Sequence, residues 1–126
     1  MDWQDAALTL AGVIGSGVAV IHGVLTHRFI ARPLGAIADG DNRIRPSIRR
    51  LVPPLLQFST FNWFIGGLAL IAAANRFETE ARIVTALLVG SSYLFGAIAN
   101  LWAIRAVHPG WVLYAVALVL IGFGVT

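Results

Sequence analysis

His22 is the only ionisable side chain lying well inside an apolar stretch of this chain. Within a bilayer such a group is costly unless paired, and it marks a functional site by default. Ser59, Asn62, Asn100 and Tyr114 fall at a similar depth in the other apolar stretches, so a buried polar layer around His22 is expected. A neutral imidazole hydrogen-bonded to Asn62, Asn100 or a backbone carbonyl would be structural. Haem ligation would need a second axial ligand. His27 is five residues on, about 140° round a helix, and His108 stands in a connection, so only a dimer joining two copies of His22 would supply the pair. A proton relay lacks a carboxylate partner, because no Asp or Glu falls within the apolar interiors. There is no nucleophile–base pair, phosphate-cradling loop, metal-ligand cluster or nucleotide fingerprint in the chain. Gly12, Gly15 and Gly17 follow no strand and are read as packing glycines. The expectation is no catalytic residue, no metal and no cofactor. The candidate cofactor- or substrate-binding set is His22, Asn62, Asn100 and Tyr114, with a structural role for His22 preferred.

The elements that would carry these residues follow from composition. The chain has 126 residues, 58% hydrophobic and 12% charged, with mean hydropathy +0.80. Soluble domains carry roughly a quarter charged residues, so this chain folded in water would leave most of its surface apolar. All nine basic residues are Arg, confined to connections between apolar runs, and that placement argues topology and not nucleic-acid binding. No Cys is present, which removes disulfides and Cys-ligated metals. The acidic start, Met1-Asp2-Trp3-Gln4-Asp5, has no basic region or cleavage site, so the first apolar run is expected to be retained.

Four apolar runs cover residues 6–29, 53–75, 83–104 and 111–126. The first three exceed the roughly 20 residues needed to cross a hydrocarbon core. The fourth spans roughly 24 Å at about 1.5 Å per residue and can cross with slight thinning of the membrane; a re-entrant or interfacial segment is the alternative. The expected architecture is an all-α, single-domain, four-helix membrane bundle.

Arginine placement orients it. The connection 30–52 and its flanks hold Arg28, Arg32, Arg43, Arg45, Arg49 and Arg50, and the connection 105–110 holds Arg105. The other side has Arg76 and Arg82 in the loop 76–82, offset by Glu78 and Glu80. Seven against two makes both Arg-rich connections cytoplasmic and both termini extracytoplasmic, in a bacterial cytoplasmic membrane. The six arginines of the first connection would contact anionic lipid headgroups or an acidic partner. Arg32-Pro33 is expected to end the first helix. Residues 47–52 suit a short interfacial helix, and Pro53-Pro54 suit the first turn of the next span. Asp39-Gly40-Asp41-Asn42 begins like a calcium loop but fails at Arg43 and Ile44.

Each of the first three runs carries a seam of small and polar residues at three–four spacing. They are Asp5, Thr9, Gly12, Ser16, Ala19, Gly23 and Thr26; then Ser59, Asn62, Gly66, Ala69 and Ala73; then Thr85, Val89, Ser92, Gly96, Ala99 and Ala103. Lipid tails are as apolar as leucine, so membrane helices associate by close backbone approach and interhelical hydrogen bonds. The seams therefore predict helix contacts, with left-handed antiparallel crossings near +20°. Leu10, Val13, Val20, Ile21 and Val24 would face lipid. The fourth run has a poorer seam (Ala115, Leu118, Gly122, Val125) and is expected at the periphery. Thr9, Ser16 and Arg32-Pro33 recur 76 residues later as Thr85, Ser92 and His108-Pro109, a faint echo of a duplicated hairpin. Trp3 marks the outer interface; Trp102, Trp111 and Tyr114 mark the cytoplasmic one. Trp63, Phe58, Phe61 and Phe64 read as lipid-facing or packing bulk.

Three functions fit. A non-enzymatic subunit or assembly factor, packing with itself as a homo-oligomer or within a larger membrane complex, is preferred. The alternatives are a small oligomeric transporter or channel with the polar layer around His22, and a carrier of haem, quinone or pigment.

Overall fold

The computed structural model describes every residue, Met1–Thr126, and contains helices without strands. The helices are α1 (Trp3–Thr26), α2 (Arg32–Asp39), α3 (Pro46–Arg76), α4 (Thr79–Ile104) and α5 (Pro109–Val125). A π-helical turn, His27–Ala31, joins α1 to α2, so one continuous helix runs over Trp3–Asp39. That helix, α3 and α4 are each long and apolar enough to cross a membrane, as in a small membrane protein; α5, with 17 residues, is shorter.

Neighbouring helices run antiparallel in a ring, α1 against α3 and α5, with α4 closing it between them. The register is plain from close contacts. Gly12 of α1 meets Gly67 of α3, and Gly23 meets Thr60; Gly124 of α5 meets Leu8 of α1. Leu8, Leu70, Tyr93 and Tyr114 fill the centre with almost no exposure. Only 24 of 126 residues are buried, and large apolar side chains cover the outside on every helix except for scattered polar positions. Such a surface suits contact with hydrocarbon or another apolar surface.

Two proline expectations are overturned. Arg32-Pro33 does not end the first helix. The Arg32 amide bonds the His27 carbonyl across a widened turn, and Pro33 stands in the first turn of α2. Proline has no N–H to give to the turn before it, and the widened turn is where the helix absorbs that loss and continues. Likewise 47–52 is no separate interfacial helix, and Pro53-Pro54 do not begin the second span. Pro46 opens α3, and Pro53 and Pro54 lie within it on exposed positions. They free the carbonyls of Arg49 and Arg50, which lie beside the Arg-rich loop where water and headgroups can bond them.

The fourth helix is not peripheral. α5 packs on both α1 and α4, burying Tyr114, Ala117, Ile121 and Gly124. This line lies one residue before the expected Ala115, Leu118, Gly122 and Val125. α5 lacks polar contrast, so its sequence carries no signal of which side turns inward.

Candidate functional site

The contacts between helices fall into three polar groups. At the end bearing the chain termini, α1 opens with a capping box: the Asp5 amide donates to Asp2 Oδ1 at 2.8 Å and the Asp2 amide to Asp5 Oδ2 at 3.3 Å. Arg82 of α4 donates to Asp5 Oδ1 at 2.6 Å and, through Nη2, to the Gly124 carbonyl of α5 at 3.0 Å. One guanidinium thus ties three helices together and satisfies a carbonyl at the C-terminal end of α5. The Arg82 hydrogen bond holds the Asp5 carboxyl, outside the apolar run 6–29, below its ordinary range. Glu78 and Glu80 offset the charge of Arg82 along the sequence, but its hydrogen-bonded partner is 77 positions away.

The second group lies along the α1–α3 and α3–α4 seams. Gly12 abuts the Gly67 carbonyl, and Ser16 Oγ donates to the Phe64 carbonyl at 3.2 Å. Gln57 Nε2 donates to the Gly23 carbonyl at 2.9 Å. Ala19 is fully buried in the core beside them. On the α4 side Gly66 faces Val89, Gly96 faces the Trp63 indole, and Trp63 Nε1 donates to the Ser92 carbonyl at 3.3 Å. Gly15 makes room for Tyr93, whose hydroxyl donates to the Trp63 carbonyl at 3.3 Å. Gly17 is the exception among the expected packing glycines, since nothing lies within 4 Å of a Cβ built on it.

The third group surrounds His22. Its Nε2 lies 3.3 Å from both Ser59 Oγ and Thr26 Oγ1, and its ring meets Trp63 edge-on with centroids 4.8 Å apart. Trp63 meets Tyr114 at 4.9 Å, and Tyr114 meets Tyr93 at 4.9 Å, so four rings cross the core in contact. Trp63 is therefore core, apart from the exposed Phe58, Phe61 and Phe64. A cavity of about 220 Å³ opens beside this chain, between α1, α4 and the start of α5. His22, Asn100, His108 and Tyr114 line it, with Val18, Ile21, Leu25, Pro109, Gly110 and Leu113.

Of the four candidate binding residues, three share this cavity. Asn62 does not: its Nδ2 donates to Ser92 Oγ at 2.6 Å on the exposed α3–α4 face. Asn100 Nδ2 donates to the Gly96 carbonyl of its own helix at 2.7 Å. Tyr114 is 1% exposed, and its hydroxyl is buried without a partner. His108, set aside in the sequence as a connection residue, joins them. As N-cap of α5 it accepts from the Gly110 amide on Nδ1 at 3.1 Å, and this folds a connection residue into the same cavity as His22. Its signal was the pair His108-Pro109, a capping residue before an N1 proline.

The six arginines of the first connection divide. Arg49 donates to the carbonyls of Ile44, Asp39 and Asp41, clamping the loop to α3, and Arg43 pairs with Asp41 at 3.0 Å. The Arg43 pair holds the Asp41 carboxyl below its ordinary range. Arg28, Arg32, Arg45 and Arg50 are exposed without an ion pair, Arg28 lying 5.9 Å from the Phe29 ring centroid.

The fold and site thus define the class: an all-helical bundle whose helices suit a membrane, with a lined cavity at one end. No family model, curated protein or solved structure matches the chain.

Proposed function

We propose that the chain is a non-enzymatic subunit of a bacterial cytoplasmic membrane that pairs with a second copy of itself. In this reading α1, α3, α4 and the shorter α5 all cross the bilayer. Both termini are extracytoplasmic, and the Arg-rich connections meet anionic lipid on the cytoplasmic side. α5, roughly 26 Å long at about 1.5 Å per residue, crosses with local thinning.

One observation carries the pairing. Asn62 lies well inside its apolar run yet is exposed, and while its Nδ2 bonds Ser92, its Oδ1 has no partner. Beside it runs a groove of about 210 Å³ lined by Ile65, Gly66, Ala69, Leu88 and Val89. An unpartnered amide facing hydrocarbon is costly, and a carboxamide is self-complementary, so a two-fold copy supplies both donor and acceptor. Gly66 and Ala69 permit the close approach such a contact needs.

Asn62→Leu tests it. Interhelical hydrogen bonds in membranes average about 0.6 and reach about 1.7 kcal/mol each, and the two-fold pair has two, so the dimer constant should fall roughly eightfold to three-hundredfold. Energy transfer between labelled chains at varied protein-to-detergent ratio reads that constant. A monomer at every ratio, or an unchanged constant in the variant, refutes the pairing.

A further inference from the structure

We propose that the cavity between α1, α4 and α5 binds the head of a lipid-soluble quinone, a flat uncharged ring bearing oxygen acceptors, with its hydrocarbon tail left in the bilayer.

Size sets the first limit. An apolar protein cavity of about 150 Å³ holds benzene, so about 220 Å³ scales to roughly nine heavy atoms. That is a six-membered ring with a few substituents. A porphyrin exceeds it. Charge sets the second limit: no Arg, Asp or Glu lines the cavity, and a charged head would lack a counter-ion at this depth.

Polar chemistry then selects the ring. Four lining residues have an atom with no protein partner: His22 Nδ1, Asn100 Oδ1, His108 Nε2 and the Tyr114 hydroxyl. Because His108 Nδ1 accepts from the Gly110 amide, the neutral ring carries its proton on Nε2 and donates from there. The Tyr114 hydroxyl is a second donor, buried behind the cavity wall with no partner in the protein, and a small turn of the Tyr114 ring toward the cavity brings it to a bound ligand. Left unbonded it costs about 1–3 kcal/mol. Carbonyl oxygens on a ring answer both donors without bringing a charge. The ring face suits the aromatic wall, where Trp63 stands edge-on to both His22 and Tyr114.

Access comes from lipid. Ile21, Leu25 and Leu113 line the cavity yet are 59%, 41% and 37% exposed, so its rim is apolar and faces the acyl chains. A head entering there leaves an attached tail outside. The proposal concerns binding alone and needs no electron transfer. It is independent of the pairing face, because the cavity shares no residue with the α3–α4 groove.

The test uses the purified chain in detergent micelles titrated with 2-decyl-1,4-benzoquinone, whose head of about eight heavy atoms is within the size limit, read by tryptophan fluorescence, since Trp63 adjoins the cavity wall. Expected is saturable quenching at one quinone per chain, on top of the linear quenching that partition into micelles produces. Tyr114→Phe keeps the ring and removes only the unpartnered hydroxyl, so the fold should be retained and affinity should drop about fivefold to tenfold. His108→Ser keeps a capping oxygen for the Gly110 amide but is too short to carry a donor to the rim, and it serves if Tyr114→Phe lowers the melting temperature. Leu113→Phe narrows the mouth and should abolish saturation. Strictly linear quenching overturns the proposal. So does unchanged affinity in both donor variants, or decylbenzene competing as strongly as the quinone, which would leave only an apolar hollow.

Discussion

Gly12→Ala against Gly17→Ala isolates the packing of α1 on α3. A methyl at Gly12 would press on the Gly67 carbonyl and lie 2.7 Å from Ile71 Cγ1 and 3.2 Å from the Ile71 amide. The Ile71 side chain can rotate away; two backbone groups cannot. Relief requires the helices to part, which lengthens Ser16–Phe64 at 3.2 Å and Gln57–Gly23 at 2.9 Å. Overpacking of this kind costs about 1–3 kcal/mol. Gly17 lies on the same helix with nothing within 4 Å of its added methyl. Alanine at a helix interior gains about 0.5–1 kcal/mol over glycine, and that gain applies to both sites, so it cancels between them. Gly17→Ala should exceed Gly12→Ala in stability by about 1–3 kcal/mol, with wild type in between. Reversible unfolding in mixed micelles by added sodium dodecyl sulfate, followed by far-ultraviolet circular dichroism, measures both. If Gly12→Ala is as stable as Gly17→Ala, α1 and α3 do not cross at Gly12 and Gly67.

The Asp5–Arg82 pair should give an acid limb. The folded pKa of Asp5 is lowered from 3.8, so its contribution is present above that pH and fades as pH falls through the lowered value. The melting temperature of wild type should drop on going from about pH 5 to pH 3, and Asp5→Asn should start lower with a shallower fall; superimposable curves would exclude the pair as the cause. Reporter tags on either terminus should register an extracytoplasmic location in intact cells. An outward N-terminus with a cytoplasmic C-terminus would remove α5 as a span.

How much was legible follows from what each signal measures. Run lengths marked four of the helices, because a stretch of apolar residues has few other folds in lipid. Gly12, Ser16 and Gly23 were legible as contacts since small and polar residues stand out among leucines, and they do meet α3. The remaining arc of α1, through Leu8, Ala11 and Val18, was not, because in a membrane the apolar pattern looks alike inside and out. Asn62 and Ser59 sit three residues apart on one seam, yet only Ser59 reaches His22. A helix between two neighbours turns one flank to each, and sequence does not say where that division falls. The Arg82–Asp5 pair escaped because charge was balanced along the chain, while the bundle balances it across helices.

The polar inventory is unequal at the two ends, and this bears on how the protein could act. At the terminal end one guanidinium engages Asp5 and the last turn of α5, fixing α1, α4 and α5 in register. At the other end α1 passes through a π turn, α5 begins at a histidine cap, and the cavity between them retains four unpartnered polar atoms. Helices held at one end and parted by a cavity at the other move most easily at the open end. Separation of α1 from α5 there breaks apolar contacts at Ile21, Leu25 and Leu113 but no interhelical hydrogen bond to α5. A neutral ring can enter sideways from lipid without unlocking Arg82. Asp5→Asn should therefore lower the melting temperature without changing quinone affinity, and loss of both in that variant would show that the two ends are not independent.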